Sequence, residues 1–225
     1  MSPNELERRI LWEAGGVIAV DKPPDLPTSG RALDDPDCLQ WQLLERAKAR
    51  GAGFVWAVHQ LDADTSGVNL FTTERALVAR LKRELAEPAA EKLYLAFVHG
   101  APGWDALACE APIGEVAPGA LGVAVDGKPA SSTFRVLAQG PSHAAIEARI
   151  ATGRTHQIRI HLAHLGHPLV GEGWYRAPKC SLHPRQALHA RRVALASLTV
   201  EAQVPGDLVD LARALGLTAA LPTTE

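Results

Sequence analysis

Four apolar residues, Val17 to Val20, run without a break and stop at the double proline of DKPPDLPTSG, which predicts a buried strand followed by an extended loop. Downstream, Leu39, Leu43, Leu44 and Ala47 recur at helical spacing, with Asp34, Asp35 and Asp37 available to cap and Gly51 to stop the helix. FVWAVHQL, residues 54–61, reads as a second buried strand, and VNLFTT as a third. Thr72 or Thr73 is placed to cap a helix in ERALVARLKRELAE, which Pro88 ends. KLYLAFVHG reads as an alternating strand closed by Gly100 and Pro102. Residues 101–130, rich in Gly, Pro and Ala, give weak signals. SSTFRVLAQGPSHAAIEARIATG then predicts two antiparallel strands around Gly140-Pro141, and RTHQIRIHLAHLG a helix with Arg154 at its start and Gly166 at its stop. QALHARRVALASLTV holds a last strand or strand pair, and DLVDLARALGL a C-terminal helix capped by Asp207. Runs of strands alternate with single helices, so the pattern predicts an α+β domain on a large, mostly antiparallel sheet.

Composition narrows the setting. The 225 residues are 47% hydrophobic and 21% charged, within the range of a globular protein of one large or two small domains. No run of 18 apolar residues exists and MSPNELERRILWEAGG lacks an apolar signal core, so the expectation is a cytoplasmic protein without a membrane partner. Three scattered cysteines, Cys38, Cys109 and Cys180, do not suggest a disulfide framework. Cys180, His183 and His189 lack the paired spacing of a zinc motif and read as scattered surface and core residues rather than metal ligands.

The net charge of −2 argues at first against a polyanion partner. Its distribution changes that picture, because residues 151–195 carry seven basic side chains and one acid, Glu172, giving +6 against −8 for the remainder. Such a local basic surface fits a polyanion, and equally a solvated face paired with the acidic remainder.

Three stretches carry candidate chemistry. HQLDADTSG, residues 59–67, places Asp62 directly after the apolar Leu61, while Asp64, Thr65 and Ser66 suit hydrogen bonds that tighten a turn. In TGRTHQIRIH, residues 152–161, His156, Arg159 and Ile160 share a helical face. Arg159 between two isoleucines requires a carboxylate or phosphate partner, preferably bidentate. Tyr94 in EKLYLAFVHG offers a ring face for stacking a base and a hydroxyl for hydrogen bonding.

One reading of DADT is the Asp-x-Asp-x-Thr pattern of a haloacid-dehalogenase-like, Mg-dependent phosphohydrolase using Asp62 and Asp64, with Asp207 and Asp210 as a late acidic pair. The alternating helices of a doubly wound fold are missing, and that reading leaves GRTHQIRIH unexplained.

A second reading spans far more of the chain. VIAVDKPPDLPTSG, HQLDADTSG, EKLYLAFVHG, TGRTHQIRIHLAHLGHPLVGEGWY and LHARRVAL, in this order and covering roughly residues 10–200, resemble the motifs of the RluA-type pseudouridine synthases. The resemblance implies a single catalytic domain over residues 1–225 with a large mixed sheet and a central RNA-binding cleft, and no separate N-terminal RNA-binding domain. It implies isomerisation of a specific uridine in structured RNA, ribosomal or transfer, after the base is flipped from its stack, with no metal or organic cofactor. By the same resemblance Asp62 is the catalytic aspartate, Arg159 the arginine that pairs with it, and Tyr94 the residue stacking on the target base. His59, Gln60, Thr65, Arg154, His156 and Leu188 fall to substrate binding, with Leu188 lining the uracil pocket and Arg154 near a rim phosphate. Where many members have His-Arg-Leu-Asp this chain has Gln60, which hydrogen-bonds without bringing a charge to the gap left by the flipped base. The oligomeric state is left open, a monomer being the simpler expectation.

Overall fold

A computed structural model describes residues 1–30, 35–176 and 182–221. In chain order its elements are α1 Pro3–Arg8, β1 Ile10–Ala14, β2 Val17–Lys22, α2 Leu39–Lys48, β3 Trp56–Ala57, β4 Ser66–Thr72, α3 Arg75–Ala86, β5 Glu91–His99, β6 Ala106–Cys109, β7 Ile113–Ala117, β8 Ala120–Val123, β9 Ser132–Gln139, β10 His143–Ile150, α4 Gln157–His164, β11 Leu188–Leu195, β12 Leu198–Glu201 and α5 Gly206–Ala214. They form two compact units, residues 1–91 with 190–203, and residues 92–189 with 204–225.

In the first unit the strand order is β1-β2-β4-β11, with β3 also on β4 and β12 on β11. The register Val17↔Thr72 to Lys22↔Gly67 pairs β2 antiparallel with β4. Alternation explains the unbroken apolar run of β2. Val17 and Ala19 pack with Leu81 and Leu85 of α3, whereas Ile18 and Val20 pack with Leu39, Leu43 and Ala47 of α2. Both faces of the strand are therefore covered. Gly67 has φ +108, and a Cβ there would lie 2.2 Å from the Ala190 carbonyl oxygen, so only glycine lets β11 approach β4 at this point.

The second unit carries the order β5-β10-β9-β6, all antiparallel. Leu95, Phe97 and Ala145 on one face bury against Leu208, Leu211 and Ala212 of α5. Ile160 of α4 packs with Ile113 and Ala130, near Leu121 and Val123 of the β7–β8 hairpin. The α+β class with a large, mostly antiparallel sheet is thus as the pattern predicts.

Several local expectations are corrected. Residues 54–61 are not a continuous strand: only Trp56 and Ala57 pair with β4, opposite Thr72 and Phe71. Beyond Val58, whose N–H reaches the Leu70 carbonyl, side chains replace the ladder and the chain peels away. The His59 ring Nε2 accepts the Leu70 N–H at 3.2 Å, and the Asn69 side-chain amide donates to the His59 carbonyl at 3.0 Å. Helix α2 is capped by the Cys38 thiol, which accepts from the Trp41 N–H at 3.4 Å, rather than by Asp35 or Asp37; Asp34 lies outside the described residues. Thr72 does engage the entry to α3, its hydroxyl accepting from the Glu74 N–H and donating to the Gly16 carbonyl. Arg154 precedes α4 rather than starting it, because His156 adopts a left-handed φ of +55 at the N-cap. Asp207 sits in the first turn of α5, where Pro205 is the cap, and its carboxylate accepts from Arg185 instead. The hairpin β7–β8 and strand β6 fall in the stretch that gave weak signals.

Cys38 and Cys109 are buried thiols without a disulfide, while Cys180 and Lys179 lie outside the described residues. No helix is long and apolar enough to cross a membrane among the described residues.

Candidate active site

Asp62 heads a turn in the first unit: the Thr65 N–H donates to the Asp62 carbonyl at 3.0 Å, closing Asp62-Ala63-Asp64-Thr65. Both neighbours of Asp62 are pinned. On the N-terminal side, the buried Thr28 hydroxyl donates to the Leu61 carbonyl and accepts the Leu61 N–H, each at 3.0 Å. On the C-terminal side, the Ala63 carbonyl accepts from the Lys22 ammonium at 2.6 Å and from the Leu26 N–H at 3.3 Å.

Lys22 is fully buried, and its ammonium also donates to the Pro23 and Leu26 carbonyls, both at 2.8 Å. Three carbonyls match the three donors of an ammonium group. The loop after the double proline and the turn after Asp62 are thereby tied through one cation, and Asp62 itself stays half-buried on a fixed backbone. Thr65 is buried beneath this turn, whereas Gln60 is exposed and its side-chain carbonyl accepts from the Ser29 hydroxyl at 3.0 Å. His59 is engaged with β4 as described, so its ring helps hold the approach to the turn.

The other candidates belong to the second unit. Tyr94 lies on β5 opposite Ala148 of β10 and is buried. Arg159 on α4 is also buried, and the carboxylate its apolar surroundings demand is Glu172: Nε donates at 2.9 Å and Nη2 at 2.8 Å in a bidentate pair. Burial of Glu172 opposes its ionisation. The hydrogen bond from Arg159, the backbone N–H of Trp174, the Arg159 charge and the N–H of Tyr175 outweigh that cost and hold its carboxyl below the usual carboxylate range. The guanidinium also lies 5.6 Å from the Trp174 ring centre and 5.3 Å from that of Tyr175. His156 completes the cluster, its Nδ1 at 2.7 Å from the Tyr175 hydroxyl.

Arg154 is half-buried, with Nε donating to the Pro129 carbonyl at 2.8 Å. Its backbone N–H donates to Gln157, a buried residue that also bonds Thr152, the Ser131 carbonyl and Ser132. Leu188 is buried at the start of β11, and Arg185 fixes its backbone: Nη1 donates to the Gln186 and Leu188 carbonyls at 3.3 and 3.2 Å.

Lys22, Thr28, Glu172 and Arg185 take parts in these arrangements that the sequence motifs do not single out. A lysine inside VIAVDKPP and an arginine inside HPRQALHA were the available signals, since a cation within an apolar frame needs acceptors. Glu172 was visible as the lone acid of a basic segment. The late acidic pair of the phosphohydrolase reading is otherwise engaged: Asp207 accepts twice from Arg185, and Asp210 is an exposed partner of Arg213.

The sequence profile of the RNA pseudouridylate synthase family matches residues 16–164. Among curated relatives, a ribosomal large subunit pseudouridine synthase D of Xanthomonas campestris is 34% identical over 239 residues, covering 95% of this chain and 71% of its own length. An uncharacterized RNA pseudouridine synthase of Bacillus subtilis is 32% identical over 222 residues, covering 94% and 73% respectively. The solved structure of human RNA pseudouridylate synthase domain containing 4 shares the fold, with a TM-score of 0.81, 22% identity and 95% of each chain covered. None of these matches supports the phosphohydrolase alternative. The motifs, the fold and the relatives agree, and the chain belongs to the RNA pseudouridylate synthase family, in its RluA-type branch.

Proposed function

We propose that the uridine isomerised by this RNA pseudouridine synthase lies in large-subunit ribosomal RNA, and that Asp62 is the carboxylate on which the reaction depends. The observation that carries the role of Asp62 is its turn. Thr28 holds Leu61 on one side and Lys22 holds Ala63 on the other, so the backbone presenting the carboxylate is fixed in advance. The Xanthomonas campestris relative is named for the large ribosomal subunit, and that name supports the choice of RNA.

Isomerisation breaks the bond between ribose C1′ and uracil N1, turns the base, forms the bond from C1′ to C5, and moves the C5 proton to N1. A carboxylate serves by attacking or stabilising the electron-poor anomeric carbon, and a base must then take the C5 proton. In this reading Tyr94 stacks on the target uracil and Leu188 lines its pocket, while Arg159 supplies positive charge on the rigid mount of Glu172. Flipping the uridine costs a few kcal/mol. Gln60, exposed beside Ser29, occupies the vacated space with a neutral hydrogen-bonding group, and Arg154 and His156 face the RNA backbone. Every step uses protein groups.

The test is incubation of the purified chain with large-subunit ribosomal RNA transcribed without modifications, in EDTA, followed by mapping of pseudouridine. Formation at one defined site supports the reading. Conversion of transfer RNA but not ribosomal RNA overturns the substrate choice, and loss of all conversion in EDTA overturns the metal-free chemistry.

A further inference from the structure

The second unit presents an aromatic side chain that its core does not use. Trp174 is 72% exposed, although indole is a costly ring to leave in water. Its backbone is nevertheless held firmly: the Trp174 N–H donates to Glu172 Oε1 at 2.9 Å, and the same oxygen accepts from Arg159. The His156 ring meets the indole edge-on, with centres 5.2 Å apart and planes at 81°. His156 is one of two non-glycine residues with positive φ among the described residues, a backbone conformation that needs support from its surroundings. That support includes the hydrogen bond between its ring and the Tyr175 hydroxyl. A strained histidine, a buried ion pair and a tyrosine therefore all brace one exposed indole.

We infer that Trp174 is a stacking platform for an unpaired RNA base flanking the target uridine. The inference rests on the reading that Arg159 works where the uridine is isomerised. It adds a base-binding position carried by the Glu172-Gly173-Trp174 segment. RNA enzymes that act on splayed-out nucleotides hold neighbouring bases on aromatic faces, and stacking tolerates any base because each has a π-face. The surroundings suit RNA, since residues 151–195 carry a net charge of +6 and the half-buried Arg154 lies two positions before His156. The geometry separates Trp174 from Tyr94, which is buried on β5 and has no comparable exposed face.

The experiment measures binding of a 12-nucleotide single-stranded RNA, containing one uridine and a fluorescent 2-aminopurine beside it, to the full chain. Thermal melting of each variant is run in parallel. Trp174→Leu, apolar but not planar, is expected to weaken binding about ten-fold, on the order of a single base stack. Trp174→Phe, which keeps a flat ring, should stay within about three-fold of the unsubstituted chain, and 2-aminopurine quenching should follow the same order. Equal binding by Trp174→Leu, or a Phe variant as weak as the Leu variant at an unchanged melting point, would overturn the platform. If the unsubstituted chain does not bind the 12-mer yet forms pseudouridine in ribosomal RNA, the platform falls and the enzymatic reading stands. If it does neither, both fall.

Discussion

Removing the Glu172 carboxylate tests the physical core of the second unit. In Glu172→Ala, Arg159 loses two charge-assisted hydrogen bonds, at 2.9 and 2.8 Å, and the Trp174 N–H loses its acceptor. The pair is deeply buried, with side-chain exposures of 6% for Arg159 and 0% for Glu172, so water cannot readily replace the lost oxygens. Breaking such a pair from one side costs about 3–5 kcal/mol. For a chain of this size that corresponds to a fall in melting temperature of roughly 6–20 °C. Glu172→Gln preserves shape but turns an NH₂ group toward guanidinium donors, so its loss should be intermediate, about 2–3 kcal/mol. The assay is urea unfolding at pH 7.5 followed by circular dichroism, on single variants and on Glu172→Ala combined with Arg159→Met. The double variant should recover much of the loss, because the guanidinium and the carboxylate leave together. A Glu172→Ala variant destabilised by less than about 1 kcal/mol, or a double variant whose cost is the sum of the singles, would refute the reasoning that the pair is a coupled unit. The pH dependence has a defined sign. The folded carboxyl lies below its ordinary value of 4.5, so the pair contributes fully above that pH and is lost as pH falls below it toward the folded value.

Other outcomes follow from single groups. Lys22→Met keeps the unbranched stem and removes the ammonium donors to the Pro23, Leu26 and Ala63 carbonyls; it should cost about 2–4 kcal/mol and reduce turnover even in the folded fraction, measured by thermal melting beside single-turnover pseudouridine formation. Unchanged turnover would show that the Ala63 clamp does not position Asp62. His161 is fully buried: its Nε2–H donates to the Ala111 carbonyl at 2.9 Å, and its Nδ1 accepts from the Ser132 hydroxyl at 3.0 Å. Burial keeps this imidazole neutral and its pKa below the ordinary 6.5, aided by the charge of His164 and opposed by the Ala111 carbonyl. The unfolded chain therefore takes up the proton first, and stability should fall as pH drops below 6.5, with a shallower slope in His161→Gln; identical slopes in urea unfolding at several pH values would exclude His161 as the source. Gly67→Ala drives a methyl into the Ala190 carbonyl oxygen at 2.2 Å and should cost at least about 2 kcal/mol by the same unfolding assay, whereas a neutral result would mean that β11 shifts freely.

Elements with two-sided burial were legible in the sequence, because their apolar runs have one structural meaning. Strand β2 is such a case, with α2 and α3 on its faces. The stretch 54–61 is equally apolar, yet its pairing ends after Ala57 because His59 and Asn69 side chains take over the backbone groups of the ladder. Hydropathy does not report that substitution. Strands β6 to β8 were hidden by small residues, whose pairing depends on neighbours rather than on their own apolar pattern. In the candidate site, the demand of Arg159 for a bidentate acceptor was readable from its isoleucine neighbours, but the acceptor Glu172, 13 positions away, was fixed only by the fold. Lys22 and Ala63 are 41 positions apart, and no local signal links them.

The central claim is that one aspartate of HQLDADTSG carries the chemistry. The direct measurement is single-turnover pseudouridine formation in unmodified large-subunit ribosomal RNA by Asp62→Asn and Asp64→Asn, each first shown to melt and to bind RNA like the unsubstituted chain. The account predicts no detectable product from Asp62→Asn, at least about 10³-fold below the unsubstituted chain, because an amide of the same size is not a nucleophile. It predicts that Asp64→Asn stays within about ten-fold, since loss of turn support is worth no more than about 1.4 kcal/mol. Activity retained in Asp62→Asn, or lost equally in both folded variants, would contradict it.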